Sequence, residues 1–154
     1  MTDYTGRGQE KVKRNVMAKI DTSTLSKMAK DQGRPYRVLI VDDEKWVQEV
    51  FKDFCELTAA VEVELATNGI EAINMARTRP YDLITLDLIM PDMSGLEVLS
   101  EFGNMSSRAP VIVITGNATE KLVHQAGVLG ACRVLYKPVL LEDFVLEITS
   151  AFSH

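Results

Sequence analysis

From Arg37 onward the chain alternates between short apolar-rich runs and longer stretches whose apolar residues recur every three or four positions. The runs are Val38 to Val41, Val61 to Ala66, Leu83 to Leu88, Pro110 to Thr115 and Cys132 to Tyr136. The first of them, Val38 to Val41, is a continuous apolar run, and such runs predict strands buried on both faces, as in a parallel sheet. After the first run, Trp46, Val47, Val50, Phe51, Phe54 and Leu57 predict an amphipathic helix with its apolar stripe on that sheet. A second helix opens at Asn68-Gly69, runs to about Arg77 and is stopped by Pro80, and a third carries Leu96, Val98, Leu99 and Phe102 and ends near Gly103-Asn104. The fourth begins near 117 to 119 and is weakened or ended by Gly127 and Gly130, and the fifth carries Phe144, Val145, Ile148 and Phe152. Five strand–helix units joined by right-handed crossovers predict an α/β fold: a doubly wound, five-stranded parallel sheet with helices on both faces.

Residues 1–35 do not share this texture and are read as a basic N-terminal extension, partly helical or disordered, ahead of a domain over 36–154. Val12, Val16 and Ile20 recur at intervals of four on a short piece flanked by lysines and arginine. Asp21, Thr22 and Ser23 mark a break and cap before a second weak segment with Leu25 and Met28, and Gly33-Arg34-Pro35 closes the extension. A solvated tail and a docking helix both fit this pattern, since isolated helices this short are marginal in water.

Charge sharpens the division. Residues 1–35 hold eight Lys and Arg against four Asp and Glu, and the rest of the chain nine against eighteen. An acidic body argues against nucleic acid as its partner, because phosphate contacts rest on Lys and Arg. Cys55 and Cys132, both in apolar sequence, are too few for a disulfide framework and predict reduced core thiols. No apolar run reaches the roughly 18 residues of a membrane span, and the start lacks a signal-peptide core. A cytoplasmic protein without membrane insertion is expected.

The candidate chemistry lies where strands give way to loops, the place for a site in a doubly wound sheet. Asp42, Asp43 and Glu44 follow the first strand, Asp87 ends the third within Thr85-Leu-Asp-Leu-Ile-Met-Pro-Asp-Met-Ser-Gly95, Thr115 ends the fourth and Lys137 follows the fifth. Singly, each has an ordinary role: helix-start acids, a turn former, a helix cap, a surface cation. Together, clustered carboxylates call for a hard cation, and an all-oxygen donor set suits Mg2+. Asp87 is then the carboxylate able to attack a phosphoryl group and form an aspartyl phosphate, with Lys137 and Thr115 each meeting a phosphoryl oxygen.

The pair Asp42-Asp43, the segment around Asp87, Thr115 and Lys137-Pro138 resemble the receiver domain of two-component response regulators, over about residues 36–153. The resemblance implies a flavodoxin-like fold with strand order 2-1-3-4-5. It further implies phosphorylation of Asp87 by a sensor histidine kinase or a histidine phosphotransfer protein. Asp43, Asp87 and the backbone carbonyl of Ile89 would hold Mg2+, with Asp42 acting through water, and a cis peptide would join Lys137 to Pro138.

The sequence departs from that pattern at Val134, where receivers commonly carry a switch aromatic; Tyr136 stands beside Lys137 instead. Ile89, Gly116 and Asn117 occupy positions expected to tune access to, and lifetime of, the phosphoryl group. The chain ends with the fifth helix, so output is expected through protein contacts, as a stand-alone phosphoacceptor whose only catalysis is its own phosphorylation and dephosphorylation. The expected docking face is built from the fourth helix, fifth strand and fifth helix, with Lys121, His124 and Tyr136 exposed on it; a homodimer is a separate expectation. A constitutive module binding partners through its N-terminal tail is the alternative. A haloacid-dehalogenase-like hydrolase is disfavoured, because it needs a second Asp two residues after the nucleophile and Ile89 stands there.

Overall fold

The computed structural model describes residues 21–106, 109–116 and 119–153. The predicted helix around Val12, Val16 and Ile20, and the tuning position Asn117, lie outside the described residues. In chain order the elements are α1 (Ser23–Gln32), β1 (Tyr36–Val41), α2 (Lys45–Glu56), β2 (Val61–Ala66), α3 (Gly69–Thr78), β3 (Leu83–Leu86), α4 (Gly95–Gly103), β4 (Val111–Thr115), α5 (Glu120–Val128), β5 (Arg133–Tyr136) and α6 (Leu141–Phe152). All strand pairs are parallel, and the sheet runs β2-β1-β3-β4-β5.

The apolar-rich runs divide between two helical layers because alternate strand residues face opposite sides. Val38 and Ile40 of β1, with Ile112 and Ile114 of β4, join one core with Phe51 and Phe54 of α2 and Phe144 and Ile148 of α6. Leu39, Val41, Val111 and Val113 join the other, with Ile73 of α3, Val98, Leu99 and Phe102 of α4, and Ala126 of α5. Phe144 is the hub of the first core: its ring stacks on Phe51 at 4.5 Å and meets Phe54 edge-on at 5.9 Å.

The described part of the N-terminal extension packs on this body. Asp21 Oδ1 accepts from the Ser23 amide at 2.9 Å, and Gly33, at φ 82°, closes α1 by donating to the carbonyls of Ala29 and Lys30. That left-handed turn is one glycine adopts without a Cβ penalty. Leu25 and Ala29 are buried in the core shared with α2 and α6, and Tyr36 stacks on Phe152 at 4.0 Å. Leu25 and Met28, read from sequence as a weak segment, thus gain their partners from residues remote in the chain.

Three expectations are corrected. Trp46 and Leu57 are exposed, since the buried stripe of α2 consists of Val47, Gln48, Phe51, Phe54 and Cys55, and residues 46 and 57 flank it. Cys132 is exposed just ahead of the edge strand β5, whereas Cys55 is buried and its thiol is pushed up to about 12 by that burial. The third strand stops at Leu86, two residues before the expected limit, and Asp87 and Leu88 belong to the loop that follows it.

Candidate functional site

The order reverses between β1 and β3: from β1 the chain goes first to β2 at the edge and then back across to β3. At such a switch point the two loops after the strands part and leave a crevice. Register brings their acids abreast, for Val41 pairs with Leu86, and the Asp87 amide donates to the Val41 carbonyl at 3.0 Å. On the other side Thr115 pairs with Tyr136, and the Lys137 amide donates to the Thr115 carbonyl at 2.9 Å. Strand pairing alone therefore sets Asp42, Asp87, Thr115 and Lys137 along one rim. The Lys137-Pro138 peptide is cis.

Carboxylate oxygens of Asp42, Asp43 and Asp87 lie within 4.8 Å of one another. Asp42 and Asp87 are buried and Asp43 is exposed, so the cluster opens to solvent at one corner. Lys137 lies across it: its Nζ is 2.9 Å from Asp42 Oδ2, 3.0 Å from Asp87 Oδ2 and 3.0 Å from Glu44 Oε1. Burial alone would lower the Lys137 pKa, but hydrogen bonds to Asp42, Glu44 and Asp87 outweigh it and raise the pKa above its usual value. Burial raises the Asp42 pKa, against the opposing pull of the Glu44 amide and Lys137. Glu44 is shifted down, chiefly by its hydrogen bond to Lys137. Three carboxylates (Asp42, Glu44 and Asp87) thus share a single ammonium, and Asp43 adds a fourth negative charge to the cluster. The surplus negative charge is a standing demand for another cation, because like charges packed together disfavour their own ionisation.

The remaining contacts hold this arrangement still. Asp87 Oδ1 accepts from the Ile89 amide at 3.1 Å, and Asp42 Oδ1 from the Glu44 amide at 2.8 Å. Ile89 itself is an exposed apolar side chain beside the cluster. Gln48, buried on α2, donates its side-chain amide to the Asp42 carbonyl. Asp92 accepts from the amides of Gly69 and Ile70 at 3.1 and 3.2 Å, tying the loop after Asp87 to the start of α3. Gly116 lies beside the Lys137 stem, where a side chain would be in ordinary contact at 3.7 Å. Val134 is half-buried and packs into the core formed with α3, α4 and α5, so the position of the missing aromatic is taken by aliphatic packing.

Thr115 gives the clearest sign that the site is made for something more. Its side chain is fully buried, yet its hydroxyl has no hydrogen-bond partner among the described residues. Leaving a buried polar group unpaired costs about 1–3 kcal/mol. A hydroxyl kept this way at the rim of a charged crevice fits a ligand oxygen that arrives later.

Gly95 matters to the same geometry. A Cβ there would lie 2.4 Å from Leu88 Cα and 2.7 Å from the Asp87 carbonyl oxygen, while the Gly95 amide donates to the Leu88 carbonyl at 2.9 Å. Backbone this close cannot yield as a flexible side chain would. Gly95→Ala is expected to destabilise the fold by about 1–3 kcal/mol and to displace Asp87. Chemical denaturation checks the first and a crystal structure of the variant the second; an unchanged midpoint with Asp87 unmoved would contradict the close approach.

Sequence reasoning located Asp42, Asp43, Asp87, Thr115 and Lys137 but missed the parts played by Glu44, Gln48 and Asp92. A signal existed for Gln48: it stands with Phe51 and Cys55 at helical spacing on the buried stripe, and a polar residue on an apolar face asks for a partner. Glu44 looked like a helix-start acid, and nothing local reveals that its partner is 93 residues away.

The response regulator receiver domain model matches residues 38–149. The chain is 31% identical over 112 residues to the chemotaxis protein CheY of Treponema pallidum, covering 71% of this chain and 78% of that one. It is 36% identical over 105 residues to protein-glutamate methylesterase/protein-glutamine glutaminase 3 of Rhodospirillum rubrum, covering 66% of this chain but only 28% of that longer protein. In structure it is similar to a CheY-like response regulator receiver domain protein from Methanospirillum hungatei, with a TM-score of 0.74 and 27% identity over 77% of this chain and 94% of that one. The five-stranded order with reversal between β1 and β3, and the match over most of the chain, lead to one conclusion: this chain belongs to the response regulator receiver domain family.

Proposed function

We propose that the protein is a phosphoacceptor in a two-component phosphorelay and takes its phosphoryl group on Asp87. The observation that carries this reading is the buried, unpartnered hydroxyl of Thr115 on the same rim as Asp87 and its Lys137 ammonium. A phosphoryl group on Asp87 would bring acceptor oxygens to both donors at once. The donor is a phosphohistidine of a sensor histidine kinase or phosphotransfer protein. An Asp87 carboxylate oxygen attacks phosphorus and the P–N bond breaks; its electron pair returns to the imidazole nitrogen, which takes up a proton. Lys137 then donates to one phosphoryl oxygen and Thr115 to another, so two strand ends are drawn toward the new group.

The donor set suits Mg2+, being three clustered carboxylates with one corner open to water. Asp43, Asp87 and the Ile89 carbonyl would hold the ion, with Asp42 reaching it through water. Bound there, it would neutralise charge on the phosphoryl oxygens. Ile89, Gly116 and Asn117 are read as tuning positions and Val134 as a switch position without its aromatic ring. Residues 1–35 are read as an extension preceding the receiver at 36–154, in keeping with a family match that begins at residue 38. The partner face is α5, β5 and α6, on which Lys121, His124, Val128, Tyr136 and Leu146 are exposed. Among the described residues no helix is long and apolar enough to cross a membrane.

The test is intact-mass and fragment analysis after incubation with acetyl phosphate and Mg2+. One phosphoryl group is expected, on the fragment that contains Asp87. No adduct from this donor or from a panel of phosphorylated histidine kinases, or an adduct on another fragment, would overturn the reading.

A further inference from the structure

Glu44 supplies neither the nucleophile nor a ligand in the reading above, yet it touches Lys137 as closely as Asp87 does. Its Oε1 accepts from Lys137 Nζ at 3.0 Å, and its Oε2 accepts the indole N–H of Trp46 at 2.8 Å. An ammonium has three hydrogens to donate, and Lys137 has three carboxylate partners, Asp42, Glu44 and Asp87. A phosphoryl oxygen can gain a Lys137 hydrogen bond only by displacing one of them. Of the three, Glu44 has by far the most open side chain, 43% exposed against 4% for Asp42 and 5% for Asp87. Returning it to water costs least, because desolvation is what holds buried ions in their pairs.

We propose that Glu44 is a positioning residue that holds Lys137 in the unmodified protein, competes with the incoming phosphoryl oxygen for the ammonium, and passes its release to Trp46 on the first turn of α2. This rests on the phosphoacceptor reading of Asp87. Trp46 is the only tryptophan in the chain, and the residue is 60% exposed, outside both apolar cores. The hydrogen bond to Glu44 is what ties its indole to the site. The contact would thus set how readily the phosphoryl state is reached and would carry its formation to α2, on the face of the sheet opposite α5.

Beryllofluoride with Mg2+ serves as a stable stand-in for the phosphoryl group, with binding followed by calorimetry and by Trp46 fluorescence. Two variants separate contact from field. Glu44→Gln removes the charge, whereas Glu44→Asp keeps it one methylene short of Lys137. Both side chains sit on an open corner, so both variants are expected to fold. If Glu44 competes by contact, both bind beryllofluoride about two- to five-fold more tightly, the range of a partly exposed ion pair. The fluorescence change seen in the unaltered protein on saturation is then lost in both. Unchanged or weaker binding by Glu44→Asp overturns the proposal, as does a fluorescence change that persists in both variants. Absence of calorimetric binding by the unaltered protein would overturn the phosphoacceptor reading itself, a result distinct from equal binding by all three.

Discussion

Asp87→Asn is expected to take no phosphoryl group from acetyl phosphate or a phosphorylated kinase, with the rate falling to the background of the uncatalysed reaction. An amide oxygen cannot form the acyl phosphate, and no other carboxylate is placed alike. Asp42 has one carboxylate oxygen on the Glu44 amide and the other on Lys137, Asp43 is exposed at the open corner, and Glu44 is shared between Lys137 and Trp46. The same substitution carries a stability signature that separates a reacting carboxylate from a structural one. The amide oxygen can still accept from Ile89 N–H, as Asp87 Oδ1 does. One of four like charges around Lys137 is then gone, so stability in metal-free buffer is expected to hold or rise. In millimolar Mg2+ the order is expected to reverse, because the proposed ligand set would give the unaltered protein binding energy that the variant lacks. Thermal unfolding with and without Mg2+ checks this; a variant less stable in both conditions would mean that Asp87 serves the fold rather than the site.

Lys137→Met should give the largest loss of stability at the site. Methionine keeps most of the apolar stem lying beside Gly116 but removes the ammonium from Asp42, Asp87 and Glu44. Breaking a buried ion pair by deleting one partner costs roughly 3–5 kcal/mol when the other charge stays buried. Because the cluster opens to water at Asp43, a loss near the lower end, about 3 kcal/mol, is expected in metal-free buffer at neutral pH. The sign of its pH dependence follows from the carboxylates left behind. Asp42 already has a raised pKa, and without Lys137 it rises further, so protonation on acidification relieves the variant and the stability gap narrows as pH falls. Mg2+ should narrow it too, by supplying another cation. Urea denaturation across pH and Mg2+ concentration measures both trends. A gap that ignores both variables would place the loss in packing instead of charge. Phosphorylation of the variant should also be slow, since the ammonium proposed to meet a phosphoryl oxygen is missing.

Much of the architecture was legible because strand and helix periodicities depend on neighbours in sequence. Unbroken runs such as Val38 to Val41 read as doubly buried strands, and the three- and four-residue steps from Val47 to Phe54 read as a helix face. The failures share one cause. Trp46 and Leu57 fit the helical pattern by hydrophobicity, but which flank of α2 meets the sheet depends on the angle at which the helix lies, and that is set by Phe144 and Ile148 from the far end of the chain. Cys132 sits in apolar sequence but at the sheet edge, where only one side is covered.

The sequence by itself determined the candidate groups and their order: acids after the first strand, Asp87 after the third, Thr115 after the fourth and Lys137 after the fifth. The type of each side chain and its place at a strand end are local properties. Only the tertiary structure decided their partnerships. Strand register set Asp42 beside Asp87 and Lys137 beside Thr115, and folding brought Glu44 to Lys137 across 93 residues of chain. Burial left the Thr115 hydroxyl unpartnered among the described residues, and docking of Leu25 and Ala29 on α2 and α6 gave α1 its core. Electrostatics and burial act through space, and a linear pattern records spacing along the chain but not distance across the fold.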